Sequence, residues 1–212
     1  MAINLSHSSV ADSIVVGDDE SLHTVIPVST PMIKSSTQKQ LFIGNGASLL
    51  SIENQHILNE FFGNKDQKWK LLYKASRDGF SASDFHHHCD QRDATMTVTQ
   101  SIGDTHLFGG YTSIPWTTCT GYKYDPTAFL FTLKSSSPMY YTIEPQHIDQ
   151  AVLHRNDCGP CFGRGDLYIS SNCNQNRNSS INFGNTYNTI AESSGKKHFT
   201  VREIEVYNIL ID

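Results

Sequence analysis

The hydrophobic period of this chain changes once, near residue 94, and that change limits the fold more than any other feature. Before it, Leu49, Ile52, Ile57, Leu58, Phe61 and Phe62 recur at helical spacing, while Glu53, Asn54 and Glu60 fall on other faces. The spacing predicts one amphipathic helix over about 49–62, with Ser51 as its N-cap and the Gly63-Asn64 pair as its stop. A shorter helix is expected to begin at "SASDFHHHC", capped by Ser81 or Ser83, with Phe85, His88 and Cys89 on one face. Beyond residue 94 the period is two. "ATMTVTQS" sets Met96 and Val98 against Thr95, Thr97 and Thr99, and "DTHLFGGYTSI" follows across a Gly103-Asp104 turn. "TAFLFTLK", "PMYYTI", "DLYIS" and "HFTVREIEVYNI" are further β-branched or aromatic runs.

Short strands in that number, joined by turn chemistry, predict a mainly β (α+β) chain, and the period alone leaves an antiparallel sandwich and a barrel both open. In the last run Phe199 and Val201 are in phase with each other, and Ile204 and Val206 are in the opposite phase. A β-bulge is therefore expected near Arg202-Glu203. The Asn- and Ser-rich stretch between Ser170 and Ser194 reads as a loop pinned by Phe183 and Tyr187.

A chain of 212 residues suits one domain with a real core. Residues 41–212 are assigned to that domain, and 1–40 to an extension that is either disordered or laid along the domain's edge as short strands. Sixteen basic against twenty-one acidic side chains give a formal charge of −5, which offers no footprint for nucleic acid. No stretch approaches the roughly 20 apolar residues that cross a bilayer. The first thirty residues carry no visible secretory signal, so a cytoplasmic location is expected and the sequons at Asn4 and Asn178 carry no weight.

Three short motifs invite sharper readings. Cys158-Gly-Pro-Cys161 has the spacing of a redox dithiol, but the glycines that follow oppose the helix whose N-terminus would activate the first thiol. Arg164-Gly165-Asp166 matches an adhesion tripeptide, yet Asp166 directly precedes the apolar "LYI" and reads as the end of a turn. His86, with Cys89 or Asp90, could share a ligand face on a helix, although no second cluster supplies the remaining ligands of a zinc site. No Gly-x-Ser-x-Gly elbow, phosphate loop or dinucleotide fingerprint is present. The chain is expected not to be an enzyme and to need no cofactor.

"WKLLYKASRDGFSASDFHHHCD" (69–90) resembles the opening signature of the TLDc domain family. "FGGYTSIPW", "GYKYDPTAFLFTL", "GPCFGRGDLYIS" and "FTVREIEVY" resemble its later blocks in order, so the resemblance covers about 48–208. The positions that carry it include Ser76, Arg77, Asp78, Gly79 and Phe80; Phe108, Gly109, Gly110 and Tyr111; and Gly159, Pro160, Phe162, Gly163 and Asp166. Cys158 and Cys161 stand where the family varies. The resemblance implies a two-sheet antiparallel β-sandwich with a few peripheral helices. It also implies action by contact, through protection against oxidative stress and binding to subunits of the vacuolar proton-pumping ATPase, and transfers no catalytic residue.

Read for themselves, these residues look architectural. Asp78-Gly79 suits a tight turn, and Arg77 is placed to fork onto Asp78, Asp84 or Asp166. The paired glycines of "FGGY" imply backbone passing close to a bulky neighbour, with Trp116 the expected one. Two other functions stay open: a structural, adhesive or glycan-binding protein, extracellular in that case, and a thiol-dependent peroxide scavenger using Cys158 and Cys161 or Cys89.

Overall fold

The first helix lies between two strands that the period did not reveal. In a computed structural model, residues 39–47, 49–104, 106–133, 137–188 and 197–211 are described, and almost all of the expected extension over 1–40 lies outside them. The order opens with β1 (Phe42–Ile43), α1 (Ile52–Phe62), β2 (Trp69–Lys74), α2 (Ala75–Asp78) and α3 (Ala82–Cys89). It continues with β3 (Thr95–Ser101), β4 (Leu107–Thr112), β5 (Gly121–Lys123), β6 (Phe129–Leu133) and β7 (Met139–Thr142). After a 3₁₀ turn at Pro145–Gln150 come β8 (Val152–His154), β9 (Cys158–Phe162), β10 (Leu167–Ser170), β11 (Ser179–Ile181), β12 (Lys197–Phe199) and β13 (Val201–Ile209).

The helix ends follow the expected chemistry. Ser51 accepts the N–H of Asn54, and Gly63 closes α1 in the left-handed conformation at φ 87°. Ser81 and Asp84 form a reciprocal capping box on α3. The buried face of α3 holds Phe85, His86 and Cys89, so His86 replaces His88 in the expected set.

Two sheets stack as a sandwich. The larger has seven strands in the order β1-β2-β13-β3-β4-β6-β7, and the smaller has six in the order β12-β11-β10-β9-β8-β5. All ladders are antiparallel except β1 on β2. One core cluster, with Trp116, Leu130, Phe162, Ile204 and Val206, fills the space between the sheets. A second, with Trp69, Met96, Phe131 and Tyr207, packs partly buried residues of α1 onto the larger sheet's far face. The larger sheet is thus covered on both sides.

That double cover explains where the period misled. Thr95, Thr97 and Thr99 form no solvent face; all are buried, and Thr95 accepts the indole N–H of Trp116. The last run is two strands, because β12 belongs to the smaller sheet and β13 to the larger. The expected bulge is present between Val201 and Glu203 against β3. A second, between Val206 and Tyr207 against β2, reverses the phase of β2 so that Leu71 and Tyr73 join different clusters. Of the expected loop over 171–194, residues 171–188 are described and contain β11, with Phe183 and Tyr187 buried as pins; 189–194 lie outside the described residues. Cys158-Gly-Pro-Cys161 lies within a strand. Trp116 is not the neighbour of the paired glycines. A Cβ on Gly109 would lie 1.8 Å from the Thr97 carbonyl oxygen, and one on Gly110 would meet Leu130 and Phe162 at 2.7 and 2.9 Å.

Candidate functional site

The first signature block forms a charged corner where β2 turns into α2. Arg77 forks onto its neighbour Asp78, with Nε and Nη2 each donating at 2.7 Å, and its guanidinium also donates to the carbonyls of Asn45 and Leu72. Asp78 accepts the N–H of Lys74 as well, at 2.9 Å. The Arg77 bond holds the Asp78 carboxyl below its ordinary range and raises Arg77 in return. Of the three carboxylates open to Arg77, Asp78 is the one used; Asp84 caps α3 instead. Gly79, at φ 108°, carries the chain past Asp84, where a Cβ would lie 2.1 Å from a carboxylate oxygen. Phe80 is half-buried against the inter-sheet core.

Beneath this corner lie two buried glutamates from the last signature block. Glu203 accepts the backbone N–H and the hydroxyl of Ser76, together with the N–H of Ile204. Glu205 accepts Lys74 Nζ at 2.9 Å, the Tyr207 hydroxyl at 2.6 Å and the Leu49 N–H at 3.1 Å. Burial pushes the Glu205 carboxyl up, but Tyr207, Lys74 and the Leu49 amide outweigh it and the net shift is downward. Tyr207 is raised by burial and by Glu205. Ser76 touches a carboxylate with no imidazole between them, and that carboxylate is already occupied by backbone donors, so the pair lacks the relay of an activated nucleophile. It locks α2 to β13. Glu203, Glu205 and Tyr207 share a phase, opposite Ile204 and Val206, but that phase does not announce their burial.

The middle blocks meet across the sandwich, where Gly110 of β4 makes room for Phe162 of β9. Phe108 packs edge-on against Phe199, and Tyr111 stacks on Phe129. Gly163, at φ 62°, opens the β9–β10 hairpin. Asp166 closes it, as expected, and is 0 % exposed. Its Oδ1 accepts the N–H groups of Gly184, Asn185, Thr186 and Tyr187. Burial raises its pKa against the bonds from Thr186, Tyr187 and Asn185. An adhesion tripeptide needs its carboxylate presented to a receptor; this one is enclosed.

The cysteine pair sits in β9 at a bulge. Cys161 pairs with Tyr168 and Cys158 with Ser170, so Gly159 and Pro160 together face the single residue Ile169. Pro160 has no N–H to contribute, which suits a bulge position. Cys161 lies in a cross-strand row on the outer face of the smaller sheet, running Tyr122, Leu153, Cys161, Tyr168, Ser180. With Arg164, Gly165 and Asn178 these residues line a shallow groove of about 320 Å³. A bond from Cys161 draws the Cys158 thiol down, while Cys158 and burial push the Cys161 thiol well up.

His86 secures the entrance to this strand. Its Nδ1 lies 2.7 Å from Asp90 Oδ1, and its Nε2 lies 2.7 Å from the Arg155 carbonyl and 3.2 Å from that of Cys158. Cys89 is turned into the inter-sheet core, where burial raises its thiol strongly. The structure therefore joins His86 to Asp90 and separates both from Cys89. Among the described residues no group of three or more His, Cys, Asp or Glu is arranged to hold a metal ion.

The signature residues thus converge pairwise, first block with last and second with fourth, as parts of one frame. A family model described as TLDc domain matches residues 43–210. The chain belongs to the TLDc domain family. No curated protein matches it. Within this TLDc domain, polar residues that sequence reasoning passed over hold the frame. Gln55 Oε1 accepts the N–H groups of Leu41 and Phe42, and Asn59 Oδ1 accepts the Trp69 indole N–H at 2.8 Å. Asp125 accepts Thr112, Ser113 and Thr127. His154 packs on Trp116, and burial, with Lys123 and His86 nearby, pushes it down to about 4. Each is an isolated polar residue whose burial no periodic pattern announces. Among the described residues, no helix is long and apolar enough to cross a membrane.

Proposed function

We propose that this TLDc domain is a non-enzymatic regulatory module that acts by contact in the cytoplasm, binds subunits of the vacuolar proton-pumping ATPase and thereby contributes to protection against oxidative stress. The observation that carries the reading is the family match over residues 43–210. The engagement of Ser76, Glu203 and Glu205 in structural bonds supports it, because the most enzyme-like cluster holds no group left to attack a substrate. Family membership does not by itself fix the activity of one copy, so the partner requires its own test. The full chain, immobilised and exposed to purified ATPase, should retain peripheral subunits of the pump. Failure of a folded chain to retain any pump subunit would remove the partner assignment.

The groove on the smaller sheet favours one second reading. Two tyrosines with Asn178 and Ser180 beside them form a flat aromatic and polar surface suited to sugar rings, as a glycan-binding protein would need. Binding of the full chain to arrayed glycans, abolished by Tyr122→Ser, separates this from the first reading.

A further inference from the structure

We infer that Cys158 and Cys161 are a site of reversible oxidative modification, at which a hydroperoxide converts the two thiols into a disulfide across the β9 bulge. In a regular strand, residues three apart point to opposite faces. Here the extra residue in β9 cancels the odd step. Tyr168 and Ser170, two apart on β10, share a face, and their partners Cys161 and Cys158 share it with them. Two strand steps at about 3.3 Å each separate the partners' Cα atoms by roughly 6.6 Å. That distance lies near the upper end of the span that a disulfide bridges, about 4.4–6.8 Å. Each thiol is the strongest single influence on the other. Cys161 lies at the floor of the groove between Tyr122, Leu153 and Tyr168, only 1 % exposed, and Cys158 is fully covered.

The reaction needs a two-electron oxidant, and a hydroperoxide supplies it. The Cys161 sulphur, first reached through the groove, attacks the terminal peroxide oxygen, and the O–O bond breaks. The departing alkoxide takes up the thiol proton and leaves as an alcohol. The Cys158 sulphur then attacks the sulfenic sulphur, the S–O bond breaks, and the hydroxyl departs as water with the Cys158 proton. Two thiols and one hydroperoxide give one disulfide, one alcohol and one water. Burial keeps the Cys161 thiolate scarce, so the site reacts slowly. The bridge opens to small thiols by thiol–disulfide exchange. This inference stands apart from the ATPase reading and survives its loss.

The test is a thiol map of the full chain after treatment with tert-butyl hydroperoxide, unfolding in alkylating agent and digestion. A peptide carrying Cys158 and Cys161 unalkylated, lighter by two hydrogens, and restored by dithiothreitol is the expected result. Cys119, the exposed cysteine, gives the internal scale for oxidant strength. In Cys158→Ser the bridge is absent and Cys161 reacts with a sulfenic-acid trap instead. Alkylation of both Cys158 and Cys161 after Cys119 is fully oxidised would overturn the inference, as would a bridge from either to another cysteine.

Discussion

Glu205 and Tyr122 both point away from the space between the two sheets, yet Glu205 is completely buried and Tyr122 is 44 % exposed. The difference lies in what covers each sheet. The larger sheet carries α1 and its apolar cluster on its outer face, so every polar group there must be bonded within the protein. The smaller sheet presents Tyr122 and Tyr168 at a groove open to solvent. Polar residues of the covered sheet consequently determine stability, and those of the open sheet are free to meet other molecules.

The comparison is broken most severely by removing space inside the covered sheet. Gly109→Val would drive side-chain atoms into the Thr97 carbonyl and Phe131, and the expected cost exceeds about 4 kcal/mol, read as loss of cooperative unfolding by circular dichroism. Glu205→Gln follows, because it leaves Lys74 and Tyr207 facing an uncharged partner; a loss of about 4 kcal/mol in urea unfolding is expected. The Glu205 carboxyl is lower in the folded chain than in the unfolded one. Its contribution is therefore fully present above the ordinary glutamate range and disappears as pH falls through the folded value. Acid titration of the unfolding free energy should show a shallower low-pH limb in Glu205→Gln.

His154 adds a window at higher pH. It stays neutral in the folded chain down to about 4 but is protonated below 6.5 when unfolded. The unfolded state thus binds the extra proton between those values, and stability falls with pH across them by about 3 kcal/mol. His154→Asn should flatten that interval when melting is followed against pH. The smallest effect belongs to the open sheet: Tyr122→Ser is expected to change urea stability by less than about 0.5 kcal/mol.

The asymmetry also explains what could be read from the chain. The helix ends at Ser51, Gly63 and Ser81 and the phase switch before Glu203 were legible, because caps and bulges are local chemistry. The burial of Thr95, Thr97 and Thr99 was not legible, since alternation reports a polar face without reporting what lies upon it. β9 was hidden because Gly159 and Pro160 signal a turn, and only the bulge against Ile169 makes them tolerable within a ladder. The order of the signature blocks was legible. The buried glutamates beneath Ser76 were not, since their burial depends on α2 and the segment around Leu49 folding over them.

Hydrogen–deuterium exchange of the full chain, resolved by peptide, measures both sheets in one sample. The account predicts that amides of β3 and β13 exchange only through global unfolding, while those of β10 and β11 exchange through smaller openings at lower free energy. Equal protection in the two sheets, or greater protection in the smaller one, would contradict it.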